Sequence, residues 1–564
     1  MSEELRSRRG RRLTVIGDPA LLTMERMDEF SARIDSDPRI ASLSLVSGPA
    51  RPPTWLRATT ASGPLVAIAT DLVDLVGPMA STDPDDVGDW LRRASERGLW
   101  HDWWVTDHAD VAHAEAVLGP SEVDLLEADD RGSAQHAALR RHRTRPGRLT
   151  VTVDVTWLGP HETGAQVLTT AAVGALAHQR GIEAIRLVGL AELPGYAAHL
   201  ADLPTVEVVA PDVEPPLSDV VWYPNQIDAR SNIAAARHLG ARVVTTYLDL
   251  IAYDIERYHG SRDAWLVYRA LQRRIALSVD GITTISADVA DRLMAEVPRL
   301  DAERVLALPL GLDHVSREAA PDEPGSDLAE VVRGLGGRRF VLVLGNDFVH
   351  KNRDFAIKVW QEALRAGQPC DLVLAGLHVR SSSSKASEDD LSARHLDLRG
   401  RLHTVGHVDS ASRAWLLANA TAVLYPSSAE GFGFVPYEAA VLGTPSTFTD
   451  FGPLHEVSGV RGLPASWSVD AYATDLVALL SDEHARADRL DQLLAAVRRS
   501  TWDGFAAGLT DFFTRISSLP EVATSAVGAD TAAADAAALS AVLSSRTWRA
   551  TAPLRRLGRH VRRG

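Results

Sequence analysis

Two series of short apolar runs, each run separated from the next by a helix-length segment, constrain this 564-residue chain more than any other feature. The first series covers residues 149–155, 184–188, 206–209, 220–223, 243–246, 281–285 and 305–308. A stretch rich in Pro, Gly and acid, residues 318–327, interrupts it, and a second series follows at 340–345, 372–376, 402–405 and 422–426. Strands that alternate with helices build parallel sheets covered on both faces. The expected fold is therefore α/β: two Rossmann-like domains facing a cleft, where open parallel sheets bind ligands beyond the carboxyl ends of their strands.

The expected division is an accessory α/β domain over 1–118, an arginine-rich linker over 119–147 and the first Rossmann-like domain over 148–318. A hinge over 319–337, the second Rossmann-like domain over 338–505, a crossover helix over 506–520, and an alanine-rich linker with a basic tail over 521–564 complete it. In the accessory region, 43–46 and 65–70 read as strands and 23–34 as a helix, with no phosphate loop.

A net charge of −15 argues against nucleic acid as a partner, because a backbone binder needs a cationic surface. No run reaches the roughly 18 apolar residues of a membrane-spanning helix. The first twelve residues lead into no signal-peptide core and the chain has one cysteine, Cys370, so the expectation is a cytoplasmic protein in which Cys370 is a packing residue. The tail between Arg546 and Arg563 holds seven arginines and no acid, interleaved with Trp548, Leu554, Leu557 and Val561. Such a tail suits peripheral contact with an anionic membrane, and equally a solvated terminus.

Chemistry concentrates in the segment from Tyr425 to Glu438. It leaves a strand, turns through Gly431 and Gly433 beside Phe432 and Phe434, and is expected to start a helix near Val435 and Pro436. Backbone amides at a helix start favour phosphate, and the two glycines remove side chains where a ligand would approach. Glu430 and Glu438, eight positions apart, bracket the turn; ionised carboxylates accept hydrogen bonds from paired sugar or ribose hydroxyls. A second loop, Gly345-Asn346-Asp347-Phe348-Val349-His350-Lys351, follows the strand that opens the second domain. Only three of 59 basic residues are lysine, so Lys351 stands out as a retained point charge. In the first domain, the loop from Trp157 to Gly164 precedes a long helix, with Gly159, Thr163 and Gly164 as candidates for approach to phosphate or acceptor. Asp249, after the strand at 243–246, is a further catalytic candidate or a structural cap. No cluster of side chains suggests a metal site, and no cofactor is expected.

The 425–438 segment, with its continuation through Thr444-Pro445 and Gly452 to Val457, resembles the signature of the retaining glycosyltransferases of family 4, which have the two-lobed GT-B fold. The likeness covers about residues 148–520. It implies that Glu438 holds the nucleotide ribose, Glu430 the transferred sugar and Lys351 the donor diphosphate, with a nucleotide-diphosphate sugar as co-substrate. The segments 280–286 and 308–313 also fit the family pattern, with Ser286 and Gly311 positioning loops. The chain departs from the pattern at Asn346 and His350, where basic residues are usual, and at Leu248, where relatives place a histidine. The first region resembles, at 37–41, 72–77 and 85–89, the latter half of a family 2 glycosyltransferase, which implies a degenerate module for docking or acceptor recognition; the segment from Ser545 to Arg555 resembles a tail of bacterial polysaccharide-assembly enzymes, which implies a glycan or lipid-linked glycan acceptor. Alternatives on the same architecture are a nucleotide-sugar epimerase, a phosphorylase, or a noncatalytic sugar-nucleotide-binding scaffold.

Overall fold

The computed structural model describes residues 2–6, 12–17, 21, 23–36, 40–47, 54–58, 65–69, 72–81, 83–97, 99–106 and 148–522. The last stretch omits 212, 214, 228–235, 238, 318–320, 380–381, 395–399, 461–462 and 465. The expected 119–147 linker, the alanine-rich stretch and the basic tail lie outside the described residues.

The first lobe is a seven-stranded, wholly parallel sheet. Its strands are β7 (Leu149–Asp154), β8 (Ile182–Val188), β9 (Val206–Val208), β10 (Ser218–Tyr223), β11 (Gly240–Tyr247), β12 (Gly281–Thr284) and β13 (Val305–Ala307), in the order β13-β12-β11-β10-β7-β8-β9. The second lobe is a five-stranded parallel sheet of β14 (Phe340–Leu344), β15 (Asp371–Ala375), β16 (Leu402–Val405), β17 (Ala422–Tyr425) and β18 (Ser446–Phe448), in the order β16-β15-β14-β17-β18. The runs are apolar on successive residues because both faces are covered; β14 and β15 are buried along their whole length. These are the two α/β lobes of a GT-B fold.

The helix Trp502–Ser518 returns from the second lobe to the first. Thr501 caps it by accepting from the Gly504 amide at 3.1 Å, so it starts at Trp502, where the family resemblance implies a helix start, four residues before the expected crossover segment at 506. Phe505, Leu509, Phe512, Phe513 and Ile516 make its buried stripe, and Phe513 meets Trp222 of β10 edge-on at 6.0 Å. Such a ring pair contributes about 0.5–1.5 kcal/mol beyond its burial. The expected hinge over 319–337 contains a short helix, Ala329–Leu335, ended by Gly336 in the left-handed region. Seven residues are too few to show a helical period in sequence. Cys370 is buried, and burial pushes its thiol up to about 11, as a packing residue requires.

The accessory region forms a mixed sheet of β1 (Ser2–Arg6), β2 (Arg12–Gly17), β3 (Ile40–Ser47), β4 (Thr54–Ala58), β5 (Leu65–Ala69) and β6 (Trp100–Thr106), in the order β1-β2-β5-β3-β6-β4, with helices Met24–Ser36 and Pro84–Glu96. Only β3 and β6 run parallel. It docks on the second lobe: Lys358 donates to the Asp74 carbonyl at 2.9 Å, and the Val469 amide donates to the Asp74 carboxylate at 3.0 Å.

Candidate active site

Each parallel sheet reverses its strand order once, between β7 and β10 in the first lobe and between β14 and β17 in the second. Loops leaving adjacent strands at such a point diverge and open a crevice. The loops after β14 and β17 carry Lys351 and Glu430; those after β7, β10 and β11 carry Gly164, Gln226 and Asp249. All five line one cleft of about 700 Å³ between the lobes.

Lys351 and Glu430 are brought together. Lys351 Nζ lies 2.5 Å from Glu430 Oε1, and the Tyr425 hydroxyl donates to the same oxygen at 2.5 Å. Burial, then the neighbouring Glu430 charge, holds the Tyr425 hydroxyl well above its ordinary value, so it stays a donor. Beside Lys351, His350 is buried; burial and the Lys351 charge hold it well below the usual histidine range, so it is neutral, and its Nδ1 meets the Tyr258 hydroxyl of the first lobe. A neutral imidazole supplies no phosphate-clamping charge at the position where the family resemblance implies a basic residue. Asn346 lines the cleft, but its side chain accepts from the Leu377 amide at 3.1 Å and so braces the loop after β15. Gly345, at φ +135°, starts the Lys351 loop in a conformation that side-chain-bearing residues avoid.

Gly431 and Gly433 both line the cleft, and the turn also sets a close contact between the lobes. A Cβ on Gly431 would lie 1.7 Å from the Leu248 carbonyl oxygen, so this glycine lets the first lobe's backbone close on the second. Gly433 sits at φ +86° with Leu454 2.7 Å from where a Cβ would be. Phe432 and Phe434 pack together at 5.3 Å on the cleft wall. The helix begins at Val435 as expected and runs to Val441, but the Tyr437 and Glu438 amides both donate to the Phe434 carbonyl and Pro436 has none. Positive charge on this wall therefore comes chiefly from Lys351 and Arg413.

Glu438 does not line the cleft. It is buried, accepting from His314 Nε2 at 3.0 Å and from Arg413. Burial raises its carboxyl, but Arg413 and His314 outweigh that and hold it down at about 2. Arg413 does line the cleft, so Glu438 is joined to the cleft wall through its partner.

On the first lobe, Thr163 caps the helix Gly164–Leu176 in a capping box with Gln166. A Cβ on Gly164 would lie 3.4 Å from the Phe434 ring, so the helix start abuts the opposite wall. Gly159 does not line the cleft; its carbonyl accepts from the Tyr196 hydroxyl at 2.8 Å. Asp249 does, while its Oδ1 accepts from the Ile251 amide at 2.8 Å and caps the turn Ile251–Asp254. Burial, with Glu430 adding to it, holds the Asp249 carboxyl above the usual range against the lowering pull of that amide. Sequence reading passed over Arg413, His314 and Tyr258 as single residues on ordinary segments; Tyr425 had one signal, its place at the end of β17 before the turn.

Residues 330–492 match the model of the family described as glycosyl transferases group 1. Over 275 residues, 47% of this chain and 68% of the relative, the chain is 25% identical to the O-antigen chain mannosyltransferase B of Escherichia coli. Over 138 residues it is 28% identical to the phosphatidyl-myo-inositol mannosyltransferase of Mycolicibacterium smegmatis, covering 24% of this chain and 36% of that protein. Among solved structures, the sucrose-phosphate synthase of Thermosynechococcus elongatus is similar at 16% identity and a TM-score of 0.47, over 65% of this chain and 99% of that one. The family match and the two mannosyltransferases support glycosyl transfer as the class of activity. Among the described residues, no helix is long and apolar enough to cross a membrane.

Proposed function

We propose that this chain is a retaining, metal-independent glycosyltransferase of family 4 that moves a sugar from a nucleotide-diphosphate donor to a glycan or lipid-linked glycan in surface polysaccharide assembly. The observation that carries this reading is the meeting of Lys351, Glu430 and Tyr425 where the β14 and β17 loops converge in the interlobe cleft. Lys351 stabilises charge on the leaving diphosphate, and Glu430 accepts from hydroxyls of the transferred sugar. The bond from anomeric carbon to phosphate oxygen breaks with its electron pair passing to the diphosphate. The acceptor hydroxyl attacks the same face, and its proton passes to a departing phosphate oxygen. The Arg413–Glu438 pair takes the nucleotide ribose; Thr163, Gly164 and Asp249 face the acceptor. Cytoplasmic location, with the tail between Arg546 and Arg563 touching the inner membrane face, belongs to the same reading, and the E. coli relative supports the polysaccharide setting.

A thermal-shift panel of nucleotide sugars tests it. A selective donor at about a hundred times its Kd adds about 2.7 kcal/mol to the native state, a clear rise in Tm. No shift with any nucleotide sugar, together with no hydrolysis or transfer, contradicts the reading.

A further inference from the structure

Arg97 follows the accessory helix Pro84–Glu96 and inserts into the second lobe behind the cleft. Its guanidinium donates to the Val349 carbonyl at 3.2 Å, to Asn352 Oδ1 at 2.9 Å, and to both oxygens of Asp354 at 2.7 and 2.5 Å. Its own carbonyl accepts from the Ser428 hydroxyl. Lys351 stands between the first two of these partners, and Glu430 follows the last by two residues.

The partners are tied to one another as well. Asn352, at φ +51°, donates through Nδ2 to the Pro426 carbonyl at 2.9 Å and to Ser428 Oγ at 3.0 Å, while the Ser428 amide donates to the His350 carbonyl at 2.9 Å. Arg97 and Asp354 are nearly enclosed, with side chains 15% and 9% exposed. A planar fork satisfying a carboxylate, an amide oxygen and a backbone carbonyl at once fixes geometry in a way a point charge does not. The same helix touches the first-lobe turn Glu256–Tyr258, whose Tyr258 hydroxyl meets His350. One accessory element thus reaches both lobes at the floor of the cleft.

We propose that Arg97 is a positioning residue: it knots together the loops carrying Lys351 and Glu430, so that turnover depends on docking of the accessory region. The proposal rests on the glycosyltransferase reading for its kinetic consequence and not for its structural one. Misplacing a catalytic pair by about 1 Å costs up to about a hundredfold in rate, whereas donor affinity, spread over the cleft, depends less on it.

The test uses the full chain with Arg97→Ala, Arg97→Lys and, as a control at the docking contact with the Val469 amide, Asp74→Ala. Amide hydrogen exchange without ligand comes first. The expected result is exchange at 349–352 and 427–430 at least about fivefold faster in Arg97→Ala, partly restored in Arg97→Lys and unchanged in Asp74→Ala. Unchanged exchange in Arg97→Ala, or acceleration spread evenly over the second lobe, overturns the proposal. For turnover, Arg97→Ala is expected to lower kcat roughly tenfold or more with donor KM within about twofold, and Arg97→Lys to fall between. A wild-type kcat in folded Arg97→Ala overturns it too. Absence of transfer by the wild-type chain counts against the glycosyltransferase reading alone, because the exchange comparison still decides whether Arg97 holds the loops.

Discussion

Each lobe is built on a parallel sheet with one strand-order reversal, yet the two present different charge to the cleft between them. Both lysine or arginine side chains that line it, Lys351 and Arg413, belong to the second lobe, beside the carboxylates Asp409 and Glu430; among the described residues the first-lobe wall has the carboxylates Glu162 and Asp249 and no lysine or arginine. On the proposed reading a diphosphate seats beside the two second-lobe cations, while a hydroxyl-rich acceptor finds acceptors for its O–H groups on the first lobe. The lobes meet through backbone at Gly431 and Leu248 and where the Phe434 ring faces Gly164, and also through Glu456, which accepts from the Ala287 amide at 2.8 Å, and Glu162, which accepts from the Ser410 hydroxyl at 2.8 Å.

The largest expected effect lies on the second-lobe wall. Lys351→Ala or Glu430→Ala lowers turnover at least roughly a hundredfold in a protein with wild-type circular dichroism; near-normal transfer by either purified variant breaks the asymmetry. Next is the seam between the lobes. Gly431→Ala places a methyl group against the Leu248 carbonyl and costs about 1–3 kcal/mol in urea denaturation, with turnover falling alongside. Unaltered stability there means the lobes do not close as described.

Glu438 sharpens the comparison through pH. Its folded value, about 2, lies below that of the unfolded chain, so its contribution is fully present above the ordinary glutamate range, near 4.3, and is lost as pH falls towards 2. Glu438→Gln is expected to cost about 1–2 kcal/mol at neutral pH and to remove that part of the acid sensitivity; a variant with the wild-type pH profile refutes the pairing with Arg413 and His314. The smallest effect belongs to the acidic wall. Asn caps as well as Asp, so Asp249→Asn leaves stability within about 0.5 kcal/mol, leaves donor KM unchanged and changes acceptor kinetics by less than about tenfold. Loss of donor binding in that variant places the donor on the wrong lobe.

What could be read in the chain was what local pattern encodes. Eleven of the twelve strands in the two lobes announced themselves as apolar runs, because burial on both faces leaves each a block of Val, Ile and Leu; only β18, three residues long, gave too short a signal. Lys351 was conspicuous because the chain otherwise uses arginine. The Gly431–Leu248 contact was not legible, since nothing near Gly431 encodes what approaches it across the cleft. Nor was the burial of Glu438, whose partners come from two other segments. The accessory region hid most: β4 and β6 find their partners in a mixed sheet, and a lone Arg97 after a helix has no pattern to mark it.

The most direct measurement is a crystal structure of the full chain with a bound nucleotide sugar. The account predicts a diphosphate oxygen within about 2.7–3.2 Å of Lys351 Nζ and a sugar hydroxyl donating to Glu430. A diphosphate seated against the first lobe, or a sugar turned away from Glu430, contradicts it.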